Sequence, residues 1–147
     1  MLPDILVLNA SLMGHRLLVD MDMAEFDAHI NMNVKGPLFF VQSATQDMKP
    51  GTQIIFVSTT LMRVSSMQLM ALLYASLKGA VKQLVQVLAQ DLGVRGMTVK
   101  VIVPGAVDTP LFRAGKPPHL ICWVASLHSQ NRIPHPDEIS PLVAFVV

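Results

Sequence analysis

The sequence predicts an α/β fold built on a parallel sheet. Three observations point there. Short apolar runs at 5–10, 53–58 and 98–103 read as strands buried on both faces. Two longer stretches between them, 22–48 and 73–92, have the length and periodicity of helices. Strand and helix therefore alternate, which implies right-handed crossovers and helices on the faces of a parallel sheet.

Each element has its own signature. ILVLNA (5–10) is a β-branched and leucine run that ends in Asn9 and Ala10, with Ser11 next. DMAEFDAHINMNVKGPLFFVQSATQDM (22–48) is a long helix with a break expected near Gly36-Pro37, stopped by Lys49-Pro50-Gly51. QIIFVS (53–58) is the second strand. Residues 73–92 form the second long helix, apolar at 77, 81, 84, 85, 88 and 92 and closed by Gly93 and Gly96. TVKVIV (98–103) is the third strand, cut by Pro104-Gly105. Residues 106–135 bear prolines and read as irregular, and DEISPLVAFVV (137–147) begins a last helix.

Composition narrows the class. The chain has 147 residues, enough for a single domain with a real core. It is 52% hydrophobic and 14% charged, which suits buried strands or helices that cover a partner. The net charge is +1 with no basic stripe, so no nucleic-acid partner is expected. No apolar run has the length of a membrane span, so no membrane partner is expected either. Cys122 is the single cysteine, which excludes an intrachain disulfide; a reducing, cytoplasmic setting is the expectation. The five histidines lack ligand-like spacing, so no metal is expected, and the ten methionines read as core filler.

LLYASLKGAV (72–81) carries Tyr74 and Lys78 four apart on an otherwise small or oily face. Snorkelling of two amphipathic side chains would explain the pair by itself. The strand ends add to it. Ligands of open parallel sheets sit beyond the C-terminal ends of the strands. Asn9 follows the first strand; Ser58, Thr59 and Thr60 follow the second; Pro104, Gly105, Val107 and Thr109 follow the third. Singly, each fits turn chemistry or capping. Together, on one rim that the second helix also opens onto, they point to a ligand site.

These residues resemble the short-chain dehydrogenase/reductase family. Five segments match in order: ILVLNAS (5–11), INMNVKG (30–36), IIFVST (54–59), YASLK (74–78) and VPGAVDTP (103–110). The resemblance covers 4–147 and implies part of a Rossmann-like, doubly wound sheet, with about three of the family's seven strands. It implies catalytic roles for Tyr74, Lys78 and Asn33, and for a hydroxyl from Thr59, its neighbour Ser58 or, as a further possibility, Thr60. It implies cofactor contacts from Asn9, Tyr74, Lys78, Pro104, Gly105, Val107 and Thr109. NADP or NAD is the implied cofactor, NADP ahead of NAD. The implied substrate is a small-molecule carbonyl or secondary alcohol, with 106–135 as the substrate loop.

The chemistry fits those roles. A free tyrosine has a pKa of about 10. Lys78, one turn on, is expected to lower it and favour the phenolate. Pro37 has no N–H, so the carbonyl of Asn33 loses its helical partner. In the family that carbonyl holds a water of the proton relay. The stretch from Thr59 to Tyr74 is expected to be slightly longer than in many relatives.

The resemblance also marks departures. Leu8 stands where the family's Asn-Asn-Ala-Gly segment has its first Asn, and Ser11 where it has Gly. No Thr-Gly-x-x-x-Gly-x-Gly turn occurs in the sequence. That turn carries the pyrophosphate in the family. The expectation is a truncated chain, inactive alone. The alternative is a non-catalytic interaction module. A homo-oligomer through the two long helices suits either reading.

Overall fold

The computed structural model of the chain describes residues 3–63 and 69–147. It divides into two compact units, the first ending at Val103 and the second beginning at Pro104.

The first unit holds the sheet. Strands β1 (Ile5–Leu8), β2 (Gln53–Val57) and β3 (Thr98–Ile102) lie in the order β1-β2-β3. Both pairings are parallel, with Val7 opposite Ile55 and Ile55 opposite Lys100. All three strands stand where the alternation of apolar runs predicts. β2 is the centre, and its Ile54, Ile55 and Phe56 are almost completely buried.

Helices α1 (Met23–Ile30), α2 (Gly36–Ala44) and α3 (Leu72–Gly93) form the helical part of this unit. Asp22 caps α1 by accepting the Glu25 N–H at 2.7 Å. Val41 of α2 and Val81, Val85 and Leu92 of α3 pack with Ile54, Phe56 and Val99 of the sheet, sealed by Met48 and Met97. The α3 positions are among those its 3.6-residue periodicity selects. Gly96 takes φ +73°, the left-handed conformation that turns the chain from α3 towards β3.

The break in the first long helix lies one turn earlier than expected. Residues Asn31–Lys35 form a π-helical turn between α1 and α2. Pro37 cannot donate to the carbonyl of residue 33, and the ladder shifts register: the Gly36 N–H donates to the Asn31 carbonyl. A Cβ on Gly36 would lie 2.9 Å from that carbonyl oxygen, so glycine fits this wider turn without a shift.

The second unit corrects another expectation. Residues 106–135 hold two helices, α4 (Pro110–Arg113) and α5 (Pro118–Ser126), followed by α6 (Pro136–Phe145). Each begins with its proline. Proline is tolerated at the first helical position, where its missing N–H costs nothing, so here it starts helices. Thr109 caps α4 by accepting from the Phe112 N–H at 3.1 Å. Arg113 grips Asp108 through two bonds of 2.5 and 2.7 Å, which holds the Asp108 carboxyl below its usual range. Arg132 and the His135 N–H do the same for Glu138, which is pulled down to about 2.

Candidate active site

The rim is assembled at the C-terminal ends of β1 and β2. The π turn delivers Asn33 into it, 2% exposed. All of the Asn33 amide is engaged. Its Nδ2 donates to the carbonyls of Leu12 at 2.8 Å and His29 at 3.0 Å. Its Oδ1 accepts from the Leu12 N–H at 3.1 Å and the Ser11 hydroxyl at 2.6 Å. The side chain thus clamps the loop after β1 to the first helix. The loop comes close further on as well: a Cβ on Gly14 would lie 2.8 Å from His29 Nε2.

Tyr74 and Lys78 enter from the first two turns of α3, both buried. Lys78 Nζ donates to the Val57 carbonyl at the end of β2, 2.8 Å away. It stands 5.7 Å from the centroid of the Tyr74 ring. Burial pushes the Lys78 pKa down to about 8. Burial raises the Tyr74 pKa above its usual value, and the Ser11 side chain nearby offsets part of that. This corrects the expectation that Lys78 lowers it. Loss of solvent around the phenol outweighs everything else that acts on it.

The two hydroxyls after β2 differ. Ser58 donates to the Lys78 carbonyl at 2.8 Å, which ties the strand end to α3. A serine has one proton to give, and that one is committed. Thr59, 7% exposed, accepts from the Leu61 N–H at 3.3 Å and keeps its own proton. The expected extra length between Thr59 and Tyr74 involves 64–68, which lie outside the described residues.

Asn9 lies exposed past β1. Pro104, Gly105, Val107 and Thr109 belong to the second unit, in the stretch that follows β3 in sequence. Ser11 is the one member of the rim network that carried no expected role. Its only signal in the sequence was that it stands at a glycine position. Among the described residues, no group of three or more His, Cys, Asp or Glu is placed to hold a metal ion. No helix among them is long and apolar enough to cross a membrane.

Comparison with known proteins bears on the family and the fold. Residues 3–147 match the family model described as enoyl-(acyl carrier protein) reductase. The chain is 28% identical over 129 residues to an NADPH-dependent aldehyde reductase-like protein, chloroplastic, of Arabidopsis thaliana, covering 88% of this chain and 48% of that protein. It is 27% identical to versicolorin reductase 1 of Aspergillus parasiticus, covering 97% of this chain and 58% of that one. Among solved structures it superposes on the angucycline C-6 ketoreductase LanV with bound NADP, with a TM-score of 0.88 and 32% identity. That match covers 99% of this chain and 55% of LanV. The chain thus spans about half the length of the curated relatives it matches.

Proposed function

Because this chain belongs to the short-chain dehydrogenase/reductase family, we propose that it carries the proton-transfer end of an oxidoreductase site. The reaction is reduction of a small-molecule carbonyl, or oxidation of a secondary alcohol, with NADP(H) ahead of NAD(H). The preference for NADP(H) leans on the name of the Arabidopsis relative and on the NADP held by LanV. The observation that supports the reading best is the buried set Tyr74, Lys78 and Asn33 at the strand ends, with a proton-bearing Thr59 beside it.

The residues present fit the nicotinamide-ribose end of such a cofactor. An ammonium has three donors, and Lys78 spends one on the Val57 carbonyl, which leaves two for ribose hydroxyls. A bound nicotinamide dinucleotide would supply or accept the hydride. Tyr74 then gives its phenolic proton to the carbonyl oxygen, or takes it back in the oxidative direction. Thr59 donates a hydrogen bond to the same oxygen. Ser58 is the anchor between β2 and α3. The Asn33 carbonyl, deprived of a donor by Pro37, accepts from a water of the relay. Asn9, Pro104, Gly105, Val107 and Thr109 contact the cofactor, and 106–135 receives the substrate.

The pyrophosphate end has no counterpart in this sequence, so the 147-residue chain is inactive by itself. It works in the cytoplasm and pairs with its own copy through the two long helices. Phe39, Phe40 and Val87 are each more than half exposed on α2 and α3 and supply an apolar face for that pairing.

Site-directed variants of a longer form, with a Gly-rich turn upstream of Met1, test the assignment. Tyr74→Phe should lower kcat by about 10²–10⁴-fold, the usual worth of a positioned general acid. NADPH affinity should stay within about twofold, an effect below 0.5 kcal/mol. Retained turnover in Tyr74→Phe would refute the role.

A further inference from the structure

The loop after β1 runs back along the first helix and meets it at three successive points. Arg16 Nε donates to Glu25 Oε2 at 3.1 Å. Gly14 lies against the next turn, where a Cβ would fall 2.8 Å from His29 Nε2 and 2.7 Å from Glu25 Oε1. Ser11 and Leu12 meet Asn33. Positions 25, 29 and 33 follow one another at four-residue spacing, the spacing of neighbours on a helix surface. The last of the three points falls inside the π turn.

That last point is the most completely bonded. The orientation of the Asn33 amide is determined, because Nδ2 faces two carbonyls, those of Leu12 and His29. Oδ1 is therefore the acceptor, and its two lone pairs take the Leu12 N–H and the Ser11 hydroxyl. The Ser11 bond, 2.6 Å, is the shortest of the four. Two of the others go to Leu12 alone, and a loop bonded through one residue can hinge about it. A bond from the preceding residue removes that freedom.

We infer that Ser11 is a positioning residue for Asn33, whose hydroxyl locks the Asn33 side chain and through it holds the π turn in register. Asn33 is the middle residue of Asn31–Lys35. An α-helical register would bring the Gly36 N–H to residue 32, whereas the observed bond goes to the Asn31 carbonyl. Pro37 removes one donor of the α-helical ladder but does not fix where Asn33 sits. The anchored side chain does, and with it the main-chain carbonyl of the same residue. A glycine at position 11 would leave Oδ1 with the Leu12 N–H alone.

The catalytic consequence rests on the proposed part of the Asn33 carbonyl in the proton relay; the anchoring does not. The anchoring is tested on the isotope-labelled 147-residue chain by the amide proton resonance of Gly36, which reports the length of its bond to Asn31 in the folded state. Ser11→Ala should move that resonance upfield and steepen its temperature dependence, and Ser11→Thr should restore both. Arg16→Gln loosens the far end of the same loop and should leave the Gly36 signal in place. Should Ser11→Ala fold poorly, Ser11→Gly gives the same reading. An unmoved Gly36 signal in a folded Ser11→Ala or Ser11→Gly chain would overturn the inference, even where the Asn33 side-chain signals shift. So would an equal movement in Arg16→Gln.

In the longer form, Ser11→Ala should lower kcat by roughly five- to tenfold, about the worth of one hydrogen bond. KM for NADPH should stay within about twofold, and Ser11→Thr should recover kcat. A moved Gly36 signal with an unchanged kcat would leave the anchor in place and overturn the reading of the Asn33 carbonyl as part of the relay.

Discussion

The rim around Tyr74 and the outer side of β1 belong to one small sheet, and they are built in opposite ways. At the rim, polar groups are buried and spoken for: Asn33 is 2% exposed with four hydrogen bonds, and Lys78 is 3% exposed with its ammonium on a strand-end carbonyl. On β1, apolar groups meet water: Ile5 and Val7 are each 44% exposed, and the strand pairs with β2 alone among the described residues. The rim needs only elements this chain contains, namely the ends of two strands, the π turn and the start of α3. Burial of the outer side of β1 requires a neighbouring strand and a covering layer. A buried, hydrogen-bonded polar cluster can therefore be assembled in a sheet whose edge strand is uncovered.

That contrast can be broken most forcefully at Asn33. Asn33→Ala removes a side chain that serves four partners and leaves the carbonyls of Leu12 and His29 without those donors. A loss of about 3 kcal/mol or more is expected in urea unfolding. A loss below about 1 kcal/mol would mean that the rim is not held by this clamp.

The buried ammonium gives an intermediate effect with a sign that can be worked out. The folded pKa of Lys78, about 8, lies below the ordinary value of 10.5. Between those two pH values the unfolded chain binds a proton that the folded chain has released, so stability rises with pH across that window. The rise is on the order of 1–3 kcal/mol. Tyr74 acts oppositely: its pKa is raised on folding, so its contribution is full below pH 10 and is lost as pH climbs through the folded value. Urea midpoints from pH 7 to 10 should therefore increase, and Lys78→Met should flatten the increase. An equally steep rise in Lys78→Met would assign it to other groups.

The smallest effect belongs to the edge. Val7→Thr exchanges an exposed methyl for a hydroxyl and keeps the β-branched shape. Its change in stability should stay within about 0.5 kcal/mol, while aggregation of the chain in light scattering should fall. A loss of 2 kcal/mol would show that Val7 is covered in solution.

The sequence made the sheet legible because its signal is local. A run such as QIIFV reads as a buried strand whatever surrounds it, and β2 is Gln53–Val57. Prolines at 110 and 118 were ambiguous, since the same residue ends one helix and begins another; only the chain before each proline decides. The Gly36-Pro37 pair announced a break, yet the displaced bonds lie upstream of it, at Asn31–Lys35. Tyr-x-x-x-Lys located two side chains on one face of α3. It carried no information on how deeply packing would bury the phenol, and burial sets the direction of its pKa. Ser58 and Thr59 are adjacent and chemically alike, and only the contact with the Lys78 carbonyl separates them. Ser11 meets Asn33 across 22 positions, a pairing that no local pattern encodes.

As proposed above, this chain holds the nicotinamide-ribose end of a dinucleotide site without the end that holds pyrophosphate. Backbone amides of a Gly-rich turn and a helix N-terminus provide the binding energy for the phosphates. A long, charged ligand held at one end must overcome its own loss of freedom with few contacts. Calorimetric titration of the 147-residue chain with NADPH measures this directly. The account predicts no saturable heat in the micromolar range, and a longer form with the Gly-rich turn should bind at micromolar concentration. Saturable micromolar binding by the 147-residue chain alone would contradict it.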